Sequence, residues 1–235
     1  VHTAMLISVY SGIILTVIGI VATRQILIWM SAPPEVLGLA VLYLRVYFLG
    51  MTSMMVYNFG SAILRAIGDT KRPLYYLFFA GIVNVILNLI FVICFHWGVA
   101  GVAAASAISQ TISAILVVRC LILEQGGIHL EWKELHIEKD KLLRIMKIGL
   151  PAGFQGTVFS LSNVVIQSAI NSFGAVVVAG NSAASTIEGF IYMGMNAFHQ
   201  ATLSFTSQNY GARQYKRIYK ILLVGELYTI MVGVI

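Results

Sequence analysis

The sequence predicts an all-α, polytopic helical membrane protein, and three observations carry that prediction. Of the 235 residues, 59% are hydrophobic and 10% are charged, whereas about a quarter of the residues in an ordinary soluble domain are charged. Several apolar runs are as long as, or longer than, the ~17–25 residues that a helix needs to cross a bilayer. The basic residues fall almost entirely in alternate connections between those runs, as is typical of membrane topology.

The apolar runs, taken in chain order, predict six membrane-spanning helices and the start of a seventh. The six are residues 4–30, 36–64, 74–95, 99–123, 143–172 and 176–205. The seventh begins near Ile218 and is still apolar at Ile235, while the first begins close to Val1. We therefore expect the chain to be part of a longer protein. The first run is too long for a cleaved signal peptide and ends in no small-residue cleavage site.

The positions of the basic residues predict the orientation in the membrane. Every Lys and Arg except Arg24 and Arg45 lies in connections, or at helix ends beside them, that fall on one side when the loops alternate. By the positive-inside rule that side is cytoplasmic. This topology explains the formal net charge of +6, so we expect no nucleic-acid partner. We predict a multi-pass protein of the plasma (inner) membrane.

One polar segment interrupts the apolar chain, at residues 124–147 (EQGGIHLEWKELHIEKDKLLRIMK). It contains acidic and basic residues in similar number, as a solvated amphipathic segment does. We predict that it is a cytoplasmic linker. It would divide the chain into residues 1–123, with four transmembrane helices, and residues 148–235, with the helices that follow.

Two arginines lie inside the first two runs. Arg24 is followed by Trp29, and this pair is typical of an anchor at the membrane interface. Between the runs, the turn at residues 31–35 contains two prolines, which stop the first helix. Arg45 lies ten residues into the second run, about 15 Å along a helix. Two interpretations remain open for Arg45: a position near the interface, if the helix protrudes, or one facing a polar cleft.

The connection after the second run has a strong pattern, RAIGDTKRP at residues 65–73. Gly68 can adopt the left-handed conformation that ends a helix, Asp69 can bond its own turn, and Pro73 can open the next helix at its first position. The run resembles the end of the fourth helix in transporters of the multidrug and toxic compound extrusion (MATE) family.

The third and fourth runs contain Asn84-x-x-x-Asn88 and then GVAAAS at residues 101–106. This arrangement looks like the fifth and sixth helices of MATE proteins, where N-x-x-x-D and GAAxAT surround a cation or proton site. The resemblance implies a coupling-ion site at Asn84, Asn88 and Ser106. Asn88 departs from the family pattern, because an amide can offer oxygen to a hard cation but cannot titrate. The other interpretation is a hydrogen-bonded pair that joins helices.

Gly149-Leu150-Pro151 opens the fifth run and resembles the start of the seventh MATE helix. Proline is tolerated in the first turn, where its missing N–H would be unpaired anyway. Many MATE proteins have Glu eight residues after this proline, where this chain has Phe159. The remaining polar side chains can bind polar groups of a substrate or tie helices together; they are Gln155, Ser162, Asn163, Gln167 and Asn171.

The sixth run has polar residues at helical spacing, which predicts one polar stripe: Asn181, Ser185, Glu188, Tyr192, Asn196 and His199. Glu188 lies about twelve residues from the outer turn, ~18 Å along the axis, close to the bilayer centre. It could bind a cationic substrate or carry a proton, or it could be a paired acid buried between helices. His199 is interpreted as structural. The run ends in Gln208-x-x-Gly211-Ala212, which matches the Q-x-x-G-A that closes the eighth MATE helix.

The resemblance covers MATE helices three to eight and part of nine, and it implies an incomplete two-lobed transporter. The implied function is secondary active efflux, in which inward Na⁺ or H⁺ drives export of drugs or other amphipathic, often cationic, compounds. Partners would be a small-molecule substrate and membrane lipid, with no cofactor and no obligate protein partner. The implied substrate cleft consists of Asn163, Gln167, Asn171, Asn181, Ser185, Glu188 and Tyr192.

Two alternatives remain. A lipid-linked saccharide flippase of the same superfamily would line its cleft with several cationic side chains, and Arg24 and Arg45 are the candidates here. A membrane-embedded enzyme would need a nucleophile–base pair or a metal cluster at membrane depth, and the sequence has neither H-E-x-x-H nor paired carboxylates in an apolar run. A P-loop pattern for ATP is also absent from the sequence.

Overall fold

A computed structural model describes residues 1–29, 34–171, 173 and 175–234, without the side chains at positions 168, 171, 175, 176 and 179. All the regular elements within these residues are helices, which confirms the all-α prediction. Most of the predicted turn at 31–35 lies outside them, as do the ends of three predicted runs at Met30, Ser172 and Ile235. The chain forms two units, residues 1–142 and 143–235, and each is described by itself.

Unit 1 contains the helices that the first four apolar runs predict. They are α1 (His2–Trp29), α2 (Pro34–Leu49), α3 (Met51–Ala66), α4 (Lys71–Leu89), which continues into a π-helical turn (Ile90–Cys94), and α5 (Gly98–Leu123). The prediction of one continuous helix over residues 36–64 is wrong, because α2 and α3 meet at a bend of 44°.

The bend between α2 and α3 lies at Gly50, and two features of the structure account for it. The Gly50 N–H donates to the Tyr47 carbonyl oxygen at 3.0 Å, a three-residue spacing that tightens the helix. A Cβ at Gly50 would lie 2.9 Å from the Cα of Ala107 in α5. Backbone therefore packs on backbone at this position, and a glycine is required there.

Small residues let the helices of unit 1 pack closely around α5. α1 runs antiparallel to α2 and α3, and a Cβ at Gly12 would lie 2.6 Å from the Cα of Thr52. α3 runs parallel to α5, and Gly60 packs against Val117. Leu64, Val117 and Leu121 are fully buried between these helices. Close approach of this kind is how helices associate without a hydrophobic driving force in lipid.

The first part of the polar segment is ordered against unit 1. Leu130 is buried, and its N–H donates to the Leu121 carbonyl oxygen at 3.0 Å. The Glu131 N–H donates to His2 Nε2 at 3.0 Å, and the Glu138 N–H donates to Thr3 Oγ1 at 3.2 Å. These contacts hold residues 124–138 on the ends of α1 and α5. The cytoplasmic location of the segment and its role as a linker stay predictions.

The later helices are longer than the sequence predicts. α6 spans Lys139–Asn171, α7 spans Ala175–Gly211 and α8 spans Tyr215–Val234. Pro151 was expected in the first turn of its helix, but it lies inside α6 because the helix already begins at Lys139. An interior proline removes one helical hydrogen bond. The charged end of the polar segment, residues 139–147, is therefore helical.

α7 and α8 pack side by side as an antiparallel pair. Gly225 lies directly against Thr202, so a side chain at Gly225 would collide with the Thr202 hydroxyl. Phe198 stacks on Tyr228 with ring centroids 5.1 Å apart. The two contacts fix which faces of α7 and α8 meet.

Length and apolar composition together identify a subset of these helices as membrane spans. Among the described residues, α1, α4 with its π-helical turn, and α5 qualify, and α2 with α3 counts as a fourth if the bent pair is one span. α6 contains the described part of the predicted span 143–172 and α7 contains the span 176–205, but neither helix reaches the same apolarity. Their amides and hydroxyls, the candidate site residues, lower it.

Candidate functional site

The structure brings the three predicted coupling-ion residues together in unit 1. Asn88 Nδ2 donates to Asn84 Oδ1 at 3.0 Å, one helical turn away on α4. Asn84 Nδ2 lies 3.4 Å from Ser106 Oγ and 3.3 Å from Ser109 Oγ, both on α5. The two asparagines are half-buried, and Ser109 is buried. A polar cluster therefore joins α4 to α5 within two apolar helices.

The small residues before Ser106 explain why the two helices meet here. Ala103 and Ala105 are fully buried. A Cβ at Gly101 would lie 2.9 Å from Phe91 Cβ in the π-helical turn that follows α4. The predicted small-residue run thus provides the close approach that places the Asn84 amide within reach of the α5 hydroxyls.

One atom of this cluster lacks a partner among the described residues. Asn88 Oδ1 is buried and accepts no hydrogen bond from any of them. A buried carbonyl oxygen without a partner costs free energy comparable to a lost hydrogen bond. The π-helical turn Ile90–Cys94 begins two residues later, and such turns occur often at functional sites. The oxygen is suited to accept a cation, a water molecule or a donor from another part of the protein.

The chemistry available in this cluster is that of neutral oxygen donors. In the described part of the chain no group of three or more His, Cys, Asp or Glu side chains could hold a metal ion. Amide and hydroxyl oxygens are ligands for a hard cation such as Na⁺. They exchange no proton near neutral pH. The cluster can therefore bind a cation, but it cannot itself titrate.

The RAIGDTKRP turn forms much as predicted. Gly68 has a φ of +91°, a conformation that favours glycine, and its N–H donates to the Arg65 carbonyl oxygen at 2.9 Å. Asp69 Oδ1 accepts the Arg72 N–H at 3.1 Å and so caps the first turn of α4. The prediction that Pro73 is the first residue of α4 is wrong, because it is the third. Its nitrogen still lies in the first turn, where main-chain nitrogens have no partner within the helix.

Ion pairs attach this turn to the end of α5. The Arg72 guanidinium pairs with Asp69 and with Glu124, and it also lies 3.2 Å from Cys120 Sγ. Burial alone would raise the pKa of the Asp69 carboxyl. Hydrogen bonds from the Arg72 main-chain N–H and guanidinium outweigh burial, so the pKa of Asp69 is lowered. These interactions hold the α3–α4 turn against the end of α5. The polar segment packs at the same end of unit 1.

The predicted substrate residues of unit 2 lie on α6 and α7. Asn163 and Gln167 are exposed on α6, and Asn171 is its last described residue, although its side chain lies outside the described part. Asn181, Ser185, Glu188 and Tyr192 follow one another along α7, which is one unbroken helix. Their role in binding a substrate stays a prediction.

The depth of Glu188 depends on the length of α7. The helix has 37 residues, about 55 Å at 1.5 Å per residue, and exceeds the ~30 Å of the hydrocarbon layer. Glu188 lies roughly 34 Å along the axis from Gly211, where the helix ends before the basic turn. The described part of α8 packs on the later half of α7 and does not extend as far along α7 as Glu188. The bilayer-centre position of Glu188 stays a prediction.

The lower half of the stripe faces a residue that the sequence left unassigned. Tyr192, Asn196 and His199 line a cavity of about 320 Å³ between α7 and α8, and Glu226 of α8 lines the same cavity. The sequence signal for Glu226 was an acid within an apolar run. What the sequence lacked was the register of α8 against α7, which places Glu226 opposite the stripe.

The two arginines inside the first runs are both exposed in unit 1. Arg45 Nε donates to the Ile20 carbonyl oxygen of α1 at 3.2 Å, so the guanidinium links α2 to α1. A position of Arg45 in a polar cleft stays a prediction.

Comparisons with known proteins agree with these features. The sequence model of the MatE family matches residues 1–90 and 151–235. The probable multidrug resistance protein YpnP of Bacillus subtilis (strain 168) is 32% identical over 200 residues, which are 85% of this chain and 44% of that protein. The probable multidrug resistance protein YoeA of the same organism is 26% identical over 242 residues, 99% of this chain and 52% of YoeA. The chain spans about half the length of these relatives or less.

Solved structures share the fold. A MATE protein crystallised in the straight conformation has a TM-score of 0.88 at 23% identity, covering 98% of this chain and 52% of the other. An outward-facing multidrug resistance MATE family transporter of the MOP superfamily has a TM-score of 0.82 at 24% identity, covering 97% of this chain and 50% of the other. At this level of identity the likeness establishes the arrangement of helices.

Proposed function

The chain belongs to the MATE family, and from that premise we propose that the whole protein is a secondary active exporter. It moves drugs or other amphipathic, often cationic, compounds out of the cell in exchange for inward Na⁺ or H⁺. It is a multi-pass protein of the plasma membrane. The relatives YpnP and YoeA are named as probable multidrug resistance proteins, which supports the substrate class.

The proposal that an inward ion drives export rests on one observation. Asn88 Oδ1 in the α4–α5 cluster is buried without a partner among the described residues. We assign the coupling ion to Asn84, Asn88 and Ser106. Asn84 orients Asn88 through their shared hydrogen bond, so the Asn88 oxygen has a fixed direction. Because these groups are neutral, a bare Na⁺ suits them better than a proton. Coupling to H⁺ would need an acid elsewhere.

The substrate half of the proposal rests on α6 and α7. Asn163, Gln167 and Asn171 present amides from α6, while Asn181, Ser185, Glu188 and Tyr192 present a mixed polar stripe from α7. A carboxylate among neutral amides and an aromatic ring can bind a cationic compound by charge and its apolar part by contact. The basic α7–α8 turn and residues 124–147 would face the cytoplasm.

The test uses the full-length protein in a host that lacks its own efflux pumps. Cells are loaded with ethidium, and its export is followed by fluorescence for the wild type, Asn88→Ala and Glu188→Gln. We expect export by the wild type and a loss of at least about tenfold in each variant. Glu138→Gln, in the exposed polar segment, is the matched control that removes a carboxylate. Absence of export by the wild type contradicts the function, and undiminished export by both variants contradicts the site assignment.

A further inference from the structure

The cavity between α7 and α8 is lined by a carboxyl and an imidazole side chain that have no partner within the described residues. Glu226 and His199 both line it, together with Tyr192, Asn196 and Thr229. Neither the Glu226 nor the His199 side chain makes a hydrogen bond or ion pair with the described residues. Thr229 donates its hydroxyl proton to the Gly225 carbonyl oxygen at 2.9 Å, so the lone pairs of its oxygen can accept a donor.

The position of Glu226 makes this arrangement unusual for a structural acid. The basic residues of the α7–α8 turn end at Lys220, and Glu226 follows six residues later, ~9 Å further along α8. If the lysine lies at the interface, as the positive-inside rule expects, Glu226 lies within the hydrocarbon layer. An acid at that depth is costly unless it faces a cavity or a counter-charge. Here it faces a cavity.

The walls of the cavity combine charge, dipoles and apolar surface. Glu226 supplies a carboxylate, Asn196 and Thr229 supply neutral oxygens, and Tyr192 supplies an aromatic ring, while Met195 and Leu222 are apolar. Among the residues that line it, His199 is the one group that can carry positive charge. A volume of about 320 Å³ lies at the small end of the range for ligand pockets. It is larger than a bare metal ion needs.

We propose that the α7–α8 cavity is a binding site for a small organic monocation, with Glu226 as its counter-ion and Tyr192 and Asn196 as its orienting groups. The site lies outside the coupling-ion cluster and extends the substrate stripe to α8. The inference rests on the proposed function for its choice of an exported cation as ligand. It makes Glu226, rather than Glu188, the acid that meets a cation between α7 and α8.

The test measures binding by the purified full-length protein, so that it is independent of transport. The probe is benzyltrimethylammonium, which has no ionisable proton, and its affinity is measured by calorimetry. Neopentylbenzene, its neutral isostere, is added as a competitor. We expect Glu226→Gln to weaken probe binding at least roughly tenfold and the isostere to compete poorly. Glu138→Gln, the exposed control, should leave the affinity unchanged.

A second measurement needs no substitution and therefore does not depend on the folding of a variant. The wild type is treated with dicyclohexylcarbodiimide, which modifies carboxyl groups in apolar surroundings, and the Glu226 peptide is followed by mass spectrometry. Saturating probe should protect Glu226 from modification. Failure of the wild type to bind the probe, or binding unaffected by Glu226→Gln and without protection, overturns the site. Ethidium export that depends on Glu188 but not on Glu226 would then leave the proposed function intact.

Discussion

Asn88 donates a hydrogen bond to Asn84 at 3.0 Å, and this bond leaves the carbonyl oxygen of Asn88 buried with no partner in the described part of the chain. Asn84 in turn donates to two hydroxyls on α5. These hydrogen bonds set the orientation of both amide side chains. An oriented oxygen at the end of such a chain is prepared for a cation before the cation arrives, which lowers the cost of ordering the site.

Replacing Asn88 tests the identity of the coupling ion. Asn88→Ala removes the carbonyl oxygen, and we expect Na⁺-stimulated export by the full-length protein to fall about tenfold or more. Asn88→Asp restores an acid at this position and should make export depend on pH in a range where the wild type does not, because a carboxyl titrates and an amide does not. Export is measured across pH in proteoliposomes. An unchanged pH profile for Asn88→Asp would argue against a cation at this oxygen.

The two hydroxyls that accept the Asn84 amide should substitute for each other. Ser106→Ala and Ser109→Ala each leave one acceptor, so we expect each to reduce Na⁺-stimulated export by less than about threefold, while the double variant loses both bonds and reduces it by more than about tenfold. Ser113→Ala is the control, since Ser113 Oγ donates to its own helix at the Ser109 carbonyl oxygen. A double variant that exports as well as either single variant would contradict the claim that both hydroxyls hold the Asn84 amide.

The Asp69–Arg72 pair should contribute to stability in a pH-dependent way. The pKa of Asp69 is lowered in the folded protein, so its contribution is fully present above its unfolded value, about 3.9. The contribution is lost as pH falls through the lower folded value. We expect Asp69→Ala to cost about 1 kcal/mol at pH 7, and Asp69→Asn less, because Asn still accepts the Arg72 N–H.

The measurement is thermal unfolding in detergent between pH 3 and pH 7. The difference between the wild type and Asp69→Ala should shrink towards pH 3. Equal differences at both ends of the range would show that the carboxylate charge contributes nothing.

Close helix packing predicts opposite outcomes for two glycines. A methyl at Gly60 would collide with the buried Val117 side chain, so Gly60→Ala should destabilise the protein by about 1–3 kcal/mol. Gly81 lies within α4, and apart from its chain neighbours and the nearby backbone of α4 a methyl there would have no described atom within 4 Å, so Gly81→Ala should be neutral or stabilising by up to ~1 kcal/mol. Denaturant unfolding of the full-length protein compares them. A stable Gly60→Ala variant would contradict the α3–α5 contact.

The helices of unit 1 could be predicted because their signal is continuous apolarity. The runs 74–95 and 99–123 agree with α4 and α5 to within a few residues, and Gly68 and Asp69 act in the turn as their chemistry requires. The bend at Gly50 could not be predicted. A glycine within an apolar run is tolerated in a straight helix, and the hydrogen bond of Gly50 to Tyr47 and the approach of Ala107 from α5 are seen only in the structure.

The sequence predicts the part of the candidate site that lies on α4 and α5. Asn84, Asn88 and Ser106 were singled out from their spacing and family pattern, and the structure adds Ser109 as a second acceptor. Pro151 and Glu226 show the limit. A polar stretch such as 139–147 gives no apolar signal for the start of α6, and the register that sets Glu226 against His199 depends on the contact of Gly225 with Thr202.

Cation-driven export through the Asn88 site can be measured with purified protein under an imposed ion gradient. Full-length protein is reconstituted into proteoliposomes, a Na⁺ gradient is imposed opposite to an ethidium gradient, and ethidium movement is followed by fluorescence for the wild type and Asn88→Ala. We expect uphill ethidium movement by the wild type that collapses with the gradient and is lost in Asn88→Ala. Equal rates of uphill movement by the wild type and Asn88→Ala would contradict the role of Asn88. Absence of uphill movement by the wild type under both a Na⁺ and a proton gradient would contradict cation-driven export.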